Sequence, residues 1–261
     1  MRRVQARRRG WAAGRWSRAW VLAGAGCLGT MVVAQVLSGV RPEPVRLTGV
    51  VVVLLGASAV AFAAGRDGAG RAVGAFGSAV AVGYAAEWIG VRAGVPFGEY
   101  AYTSLLRPQL GGVPVIVAVA WGGMGLAAHA VATAIVPEGG VKRWMAGALA
   151  LTAWDLFLDP QMLRMGLWTW ADDGPYRGVP VSNFAGWLVV SLVVMAVIDA
   201  VVGRSGAAAS GGLVAIYGVM TAMETLAFAA VFEPPDRVVA VAGGAAMGTF
   251  AVLAWRRRWP R

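Results

Sequence analysis

Four acidic side chains lie inside long apolar stretches of this sequence. Asp155 and Asp159 occur in LTAWDLFLDPQMLRMGLWTW, and Glu87 and Glu224 interrupt two other apolar runs. A charged group in a nonpolar medium is costly unless it is paired or neutral, so each acid is a candidate functional residue. Asp155 and Asp159 are one helical turn apart on one face, and repulsion between like charges predicts that at least one of the two carboxyls holds its proton.

Aromatic side chains follow these acids along the chain. A tyrosine pair follows Glu87, and a Trp-x-Trp follows the two aspartates. Tyrosine and tryptophan gather at membrane interfaces, so these residues fit an aromatic belt. Aromatic faces beside buried acids also suit an apolar substrate that reacts through a carbocation. The residues that we expect to bind substrate or water are Tyr84, Tyr100, Tyr102, Trp168, Trp170 and Asn183.

Carboxylic acids, aromatic faces and water are sufficient for one reaction in a membrane, the addition of water to an isolated alkene. A protonated carboxyl gives its proton to the less substituted carbon, a tertiary cation forms, and water activated by a carboxylate attacks it. This chemistry requires no cofactor and no metal. We expect Asp155 to be the proton donor or its close partner, with Glu87, Asp159 and Glu224 completing a carboxyl cluster.

Each acid also has a purely structural interpretation. Asp159 is followed by proline, a typical helix start in which Asp159 would cap a short helix over 160–166. Glu87 fits a solvated helix end, and Glu224 fits a hydrogen bond to a neighbouring helix. Asp155 has no comparable structural role, which makes it the strongest candidate.

The composition places the chain in a membrane. Hydrophobic residues make up 58% of the sequence and charged residues 14%, whereas soluble domains carry about 25% charged residues. The net charge of +10 comes almost entirely from arginines near both ends, a pattern that favours anionic lipid headgroups over nucleic acid. With one histidine and one cysteine, the chain lacks the parts of a His/Cys metal cage or a Ser-His-Asp triad. We expect His129 to be a structural interhelix donor and Asp199 to be a surface residue near Arg204.

About eight stretches are long enough to cross the hydrocarbon core as helices, which predicts an all-α polytopic bundle with one transmembrane domain over 20–255. A basic N-terminal tail would cover 1–19 and a basic C-terminal tail 256–261. The first stretch follows an Arg-rich start, as the apolar part of a signal peptide does, but signal peptides have a shorter apolar region of about 7–15 residues and no clean A-x-A follows, which favours a retained helix. We expect about seven or eight helices. The predicted helices are 20–37, 47–64, 72–91, 113–136, 144–163, 184–202, 211–232 and 238–255.

The distribution of arginine and lysine predicts the orientation. Most basic residues lie on one side if both termini are cytoplasmic. The two longest loops, about 92–112 and 164–183, then face outward in the plasma membrane. Counted along the predicted helices, the four acids reach similar depth.

A repeat links the two halves of the acidic region. GVPVIVAVAW (112–121) and GVPVSNFAGW (178–187) share GVPV, five residues and Trp. Each follows a helix with a buried acid and an aromatic loop. The pattern is typical of membrane proteins built from two parallel units, although short matches also arise by chance in Val/Gly/Ala-rich chains.

Two segments resemble a known family. VPFGEYAYTSLLRPQLGGVPVIVAVAWGGM and DLFLDPQMLRMGLWTWADDGPYRGVPVSNFAGW are similar to the membrane-embedded carotenoid biosynthesis proteins, which include carotenoid hydratases such as the haloarchaeal bisanhydrobacterioruberin hydratase. The second segment is the more specific, since Asp-Pro, Trp-x-Trp, Gly-x-Tyr-x-Gly-Val-Pro and Asn-Phe-x-Gly-Trp occur in order. The resemblance covers roughly 80–230 and implies hydration of the terminal isoprenoid double bond of an acyclic or monocyclic carotenoid to a tertiary alcohol. It supplies no catalytic residues.

Three other functions remain open. Asp155 and Asp159 could hold Mg²⁺ on a diphosphate in a polyprenyl transferase, which would need a second Asp-rich cluster and basic residues. The buried acids could relay protons in a coupled transporter, or simply join helices in a scaffold. We expect a carotenoid hydratase whose partners are a polyene substrate, membrane lipids and other enzymes of the pathway.

Overall fold

The computed structural model describes residues 2–40, 44–203 and 209–258, with side chains described for 17–40, 47–203 and 209–258. The helices are α1 (Arg2–Val40), α2 (Pro44–Asp67), α3 (Ala69–Ala93), α4 (Val115–Ile135), α5 (Val141–Arg164), α6 (Val181–Val202), α7 (Gly211–Leu226) and α8 (Arg237–Arg258), and α7 continues as a π-helical turn over Ala227–Val231. Four short strands complete the described elements: β1 (Tyr100–Tyr102), β2 (Gln109–Leu110), β3 (Val113–Pro114) and β4 (Trp168–Trp170).

The protein is an all-α multi-pass membrane protein, as the sequence predicts. Seven spans within the described residues are long and apolar enough to cross a membrane. The remaining helix, α5, carries the aspartate pair and basic residues at both ends, which lower its hydropathy. The structure extends several helices beyond the predicted bounds, and α1 begins at Arg2 inside the segment predicted as a basic tail. Residues 259–261 of the predicted C-terminal tail lie outside the described residues.

Helix α4 lies at the centre of the bundle, and most of its residues are buried. Small residues along α4 explain this position, because they let neighbouring helices approach closely. A Cβ on Gly122 would press on Phe76 of α3, and a Cβ on Gly123 would press on Leu55 of α2. The sequence GGMG therefore lets α4 pack against two neighbours at once.

Six helices enclose α4 in a ring. In the order α2, α3, α6, α5, α8 and α7, each helix contacts the next, and α7 contacts α2 again. Helix α1 packs outside the ring against α2, where Ser58 Oγ donates to Gly24 O at 2.9 Å and Ser17 Oγ donates to Gly65 O at 2.7 Å. At one end of the ring, the ends of α2 to α6 line the candidate site.

The two halves of the sequence repeat form one symmetric unit. Helix α3 packs on α4 and α6, while α5 packs on α6 and α4. Pro114 and Pro180 of the two GVPV motifs both sit in extended conformation immediately before α4 and α6. Trp121 and Trp187, which end the matched motifs, stack on each other with ring centroids 4.1 Å apart. These relations indicate a local pseudo-twofold axis.

The segments 94–114 and 165–180 lie at one end of the bundle, here called the loop end. Strands β1 and β4 pair there in antiparallel fashion, with Tyr100 opposite Trp170 and Tyr102 opposite Trp168. Asp155, Trp168 and Trp170 each follow their counterparts Glu87, Tyr100 and Tyr102 by 68 residues. The strand pair therefore crosses the same pseudo-twofold axis that relates the helices.

Asp199 joins three helices at the opposite end, which corrects the prediction that it is a surface residue. Its carboxylate contacts His129 Nε2 of α4 at 3.1 Å and accepts hydrogen bonds from Arg143 at 3.0 Å and Trp144 at 3.1 Å on α5. Arg143 also donates to the carbonyl of Val136 at the end of α4. His129 thus has the interhelix role predicted for it, and these partners explain the position of Asp199. Arg204, the partner predicted from the sequence, lies outside the described residues.

Candidate functional site

Glu87 on α3 forms the first half of the site. Its Oε2 accepts hydrogen bonds from Tyr100 at 2.5 Å and Tyr102 at 2.8 Å, and its Oε1 accepts one from Trp121 Nε1 at 3.0 Å. Alternation along β1 places both tyrosines on one face of the strand. Three donors on one carboxyl group favour its ionised form. Glu87 is therefore a buried carboxyl held by three hydrogen bonds rather than the solvated helix end that was the alternative.

Two glycines on α3 make this arrangement possible. A Cβ on Gly83, one turn before Glu87, would overlap the Trp121 ring. A Cβ on Gly90, one turn after Glu87, would lie 2.7 Å from the Tyr100 hydroxyl. Both donors can reach Glu87 only because these positions lack side chains.

Asp155 and Asp159 on α5 form the second half. Asn183 Nδ2 donates to Asp155 Oδ2 at 2.6 Å and also to Asp159 Oδ2, while Trp168 Nε1 donates to Asp159 Oδ1 at 2.8 Å. The three members Asp155, Asp159 and Asn183 are each at most 2% exposed. Because one amide nitrogen donates to both carboxyls, the two accepting oxygens lie close to each other. Two carboxylates this close together and away from water repel each other. The pair is therefore suited to keep a proton on one of its two carboxyl groups.

Asp159 lies inside α5, which corrects the alternative that it caps a separate helix over 160–166. The helix runs from Val141 to Arg164 with Pro160 in its interior. Proline lacks an N–H, so the carbonyl four residues earlier, on Leu156, loses its helical partner. Tyr176 replaces that partner, since its hydroxyl donates to Leu156 O at 3.0 Å. The helix therefore continues past the proline.

A cavity at the loop end connects the two halves. It contains about 680 Å³ of space between atoms, including space open to the outside, and its walls are mostly apolar and aromatic. Glu87, Asp159 and Asn183 line it, whereas Asp155 lies behind Asn183 and does not. The other lining residues are Thr48, Val52, Phe97, Tyr100, Leu106, Ile116, Val117, Ala120, Trp121, Trp154, Leu158, Met162, Trp168, Trp170 and Trp187.

The aromatic residues predicted from the two loops belong to this cavity rather than to a lipid-facing belt. Tyr100, Trp168 and Trp170 line it, and Tyr102 packs edge-on against Trp168 with ring centroids 5.5 Å apart. Burial, followed by the nearby charge of Glu87, raises the pKa of both Tyr100 and Tyr102 well above the ordinary value. Both phenols therefore remain hydrogen-bond donors at neutral pH.

Two predicted site residues lie elsewhere. The Tyr84 hydroxyl donates to Leu110 O at 3.1 Å and does not line the cavity. Glu224 on α7 is 7% exposed and is also absent from the cavity walls. It follows Met220 by one helical turn, and the sulfur of Met220 accepts a hydrogen bond from Gln35 of α1. The structure thus brings Glu87, Asp155 and Asp159 together and leaves Glu224 outside the cavity wall.

Several residues of the candidate site were not predicted from the sequence. Trp121 donates to Glu87 and stacks on Trp187, and both line the cavity together with Trp154. The signal for Trp121 and Trp187 was present, because each ends a GVPV motif. Nothing in the sequence pattern distinguishes Trp154 from the other apolar residues of its helix.

Three buried polar atoms near the cavity have no hydrogen-bond partner among the described residues. They are Asp155 Oδ1, Trp154 Nε1 and Trp170 Nε1. A buried N–H without an acceptor is unfavourable by about 1–3 kcal/mol. Each indole belongs to the cavity wall, so an oxygen atom in the cavity is a suitable acceptor. In the part of the chain that the structure describes, no group of three or more His, Cys, Asp or Glu side chains is arranged to hold a metal ion.

Comparison with known proteins identifies the family. The sequence pattern of the carotenoid biosynthesis proteins matches residues 48–251, which is most of the chain. The chain belongs to the carotenoid biosynthesis protein family. The match includes both acidic helices, both loops and all the residues that line the cavity.

One relative of this carotenoid biosynthesis protein is the bisanhydrobacterioruberin hydratase of Haloarcula japonica. The two are 31% identical over 127 residues, an alignment that covers 47% of this chain and 43% of the relative. The aligned part thus spans less than half the length of that hydratase. No solved structure matches the chain.

Proposed function

We propose that this protein adds water to the terminal isoprenoid double bond of a carotenoid and forms a tertiary alcohol without a cofactor. The observation that carries the proposal is the pair of unlike acid sites on one aromatic cavity: Asp159, backed by Asp155, and Glu87, held by three donors. Alkene hydration requires a general acid and a general base beside one apolar cavity.

Asp159 is the proton donor in this proposal, with Asp155 as the partner that keeps the proton on the pair. Asp159 lines the cavity, whereas Asp155 is behind it. The O–H bond of Asp159 breaks while the alkene π electrons form a C–H bond at the less substituted carbon. The positive charge then lies on the tertiary carbon. Asn183, which binds both carboxyls, positions the pair.

Glu87 completes the reaction as the base. A water oxygen forms a bond to the tertiary carbon, and the proton released from that water passes to Glu87. Return of this proton to the aspartate pair, directly or through solvent, resets the site. The net change is one alkene plus one water to one alcohol, so atoms and electrons balance.

Aromatic rings stabilise the intermediate cation. The faces of Trp and Tyr carry negative charge density that attracts a cation within about 6 Å of the ring centroid. Trp121, Trp187, Tyr100 and Trp170 all line the cavity. Trp154 and Trp170 have free indole N–H groups for the oxygen of the new hydroxyl.

The lining also argues against a diphosphate substrate. Among the described residues around the cavity there is no arginine or lysine. A diphosphate is normally bound by basic side chains or by a metal. The polyprenyl transferase alternative therefore lacks the charges it needs at this site, while a hydrocarbon fits the apolar walls.

The first test is expression in bacteria that already make lycopene, followed by chromatography and mass spectrometry of the carotenoids. We expect a product heavier by one water with the wild-type chain. Asp159→Asn and Asp155→Asn should each lower its yield by about 10²-fold or more, the contribution expected of a general acid. Asp172→Asn, which changes an exposed loop acid, is the matched control and should leave the yield unchanged. Normal product from Asp159→Asn, with the protein in the membrane, would contradict the assignment.

A further inference from the structure

The cavity is confined to the loop end, and this limits how much of a carotenoid it can hold. Its lining comes from the ends of α2 to α6 and from the two long loops, with no residue from the opposite half of the bundle. A conjugated polyene is rigid and about as long as the hydrocarbon core is thick, roughly 30 Å. Only the reacting end fits beside the acids, so the rest of the molecule must leave through an opening.

The part-exposed lining residues locate that opening. Most belong to three helices: Thr48 and Val52 on α2, Ile116 and Val117 on α4, and Leu158 on α5. One turn deeper, α2 and α4 are in tight contact, since a Cβ on Gly56 would lie 3.2 Å from Val119. The lining residues Thr48 and Val52 therefore lie on the loop-end side of this close contact.

We propose that the polyene enters and lies between α2, α4 and α5, so that Val52 and Ile116 determine which substrates pass. This inference rests on the proposed function. The walls of the passage are almost entirely aliphatic, which suits a hydrocarbon chain arriving sideways from the lipid. Val52 and Ile116 contact the chain rather than the reacting double bond, so they act on substrate length and shape.

The test compares two alkenes with the same isopropylidene end group, lycopene and a methylheptene, in purified protein. A Trp side chain at position 52 fills the passage, so we expect Val52→Trp to lower turnover of lycopene about tenfold or more, since one methylene of misfit in an apolar pocket already changes discrimination by about 10–200-fold. Turnover of the methylheptene, which fits inside the cavity, should change much less. Because the result is a ratio within one variant, a lower amount of folded protein does not alter it.

Val53→Trp is the matched control. Val53 is the next residue on the same helix, is 57% exposed and does not line the cavity. It should leave the ratio of the two turnovers at the wild-type value. A second variant, Ile116→Phe, narrows the passage from α4 and should shift the ratio in the same direction as Val52→Trp.

The outcomes separate the two proposals. If the wild-type protein hydrates lycopene and both passage variants keep the wild-type ratio, the passage lies elsewhere and this inference is wrong. If Val52→Trp loses both substrates equally, residue 52 acts on the site rather than on a passage, which also overturns the inference. If the folded wild-type protein hydrates neither alkene, the proposed function itself fails.

Discussion

The two halves of the site differ in how their carboxyls are bound. Glu87 accepts hydrogen bonds from three donors, whereas Asp155 and Asp159 together have two, Asn183, which they share, and Trp168 on Asp159. More donors per carboxyl favour a negative charge, and fewer favour a retained proton. In the proposed mechanism this difference makes Glu87 the base and the aspartate pair the acid.

The two tyrosines that hold Glu87 give a pH prediction. An exposed tyrosine ionises near pH 10, and burial and the charge of Glu87 raise the pKa of Tyr100 and Tyr102 well above that value. Because the pKa of each tyrosine is higher in the folded than in the unfolded protein, both stabilise the fold fully below about pH 10. This stabilisation is lost only as the pH rises through the higher folded-state pKa. We therefore expect neither tyrosine to ionise near pH 10 in the folded protein.

An absorbance titration of tyrosinate in detergent checks this. The variant with both Tyr100→Phe and Tyr102→Phe should show the same rise around pH 10 as the wild-type protein, because neither residue contributes to it. A smaller rise in absorbance near pH 10 in the variant would show that these phenols ionise normally and are not bound to Glu87 as described.

Among the elements, α5 depends on a contact from outside the helix. Pro160 frees the Leu156 carbonyl, and Tyr176 occupies it from the loop that follows β4. This bond fixes the loop against the helix that carries both aspartates. Burial raises the pKa of Tyr176 to about 12, so the hydroxyl remains a donor over the physiological range.

A double-mutant cycle tests the role of this bond. Tyr176→Phe should destabilise the wild-type protein by about 0.5–1.5 kcal/mol, the usual net value of a hydrogen bond. In the Pro160→Ala background the backbone N–H of residue 160 can donate to the Leu156 carbonyl. Tyr176→Phe should therefore lower the free energy of unfolding by less in that background. Thermal unfolding in detergent gives the coupling energy. If Tyr176→Phe lowers the free energy of unfolding equally in both backgrounds, the Tyr176 hydrogen bond does not compensate for Pro160.

The helices illustrate what can be predicted from sequence. The apolar runs were sufficient to predict an all-α bundle of seven or eight membrane helices, and the structure places Glu87 on α3 and both Asp155 and Asp159 on α5. Depth along a helix axis follows from counting residues, but direction around the axis depends on which neighbours pack there. Glu224 was predicted in the cluster for this reason, yet α7 directs it elsewhere. The strands β1 and β4 are three residues each, too short for a periodic signal.

At the scale of the whole molecule, the pseudo-twofold unit explains why the acids meet. Repeating a helix, an aromatic strand and a GVPV helix brings the equivalent strands and tryptophans together on one axis. The sequence repeat predicted two parallel units, and the structure adds that they face each other. One cavity on the axis thereby receives one acid group from each half.

Close packing beside the axis gives a stability prediction. Gly83→Ala places a methyl group in the Trp121 ring, so it should destabilise the protein by about 1–3 kcal/mol and weaken hydration. Gly77→Ala on the same helix is the control, because a Cβ there meets nothing within 4 Å and alanine favours helix. Thermal unfolding and product yield measure both effects. Equal stability of the two variants would show that α3 and α4 are not packed as closely as described.

The most direct test of the central claim uses purified protein, lycopene and water labelled with heavy oxygen, under argon and with no added cofactor. The account predicts a tertiary alcohol whose oxygen carries the label, formed by the wild-type protein and not by Asp159→Asn. No alcohol from the folded wild-type protein, or an alcohol with unlabelled oxygen, would contradict hydration by the carboxyl groups of this cavity.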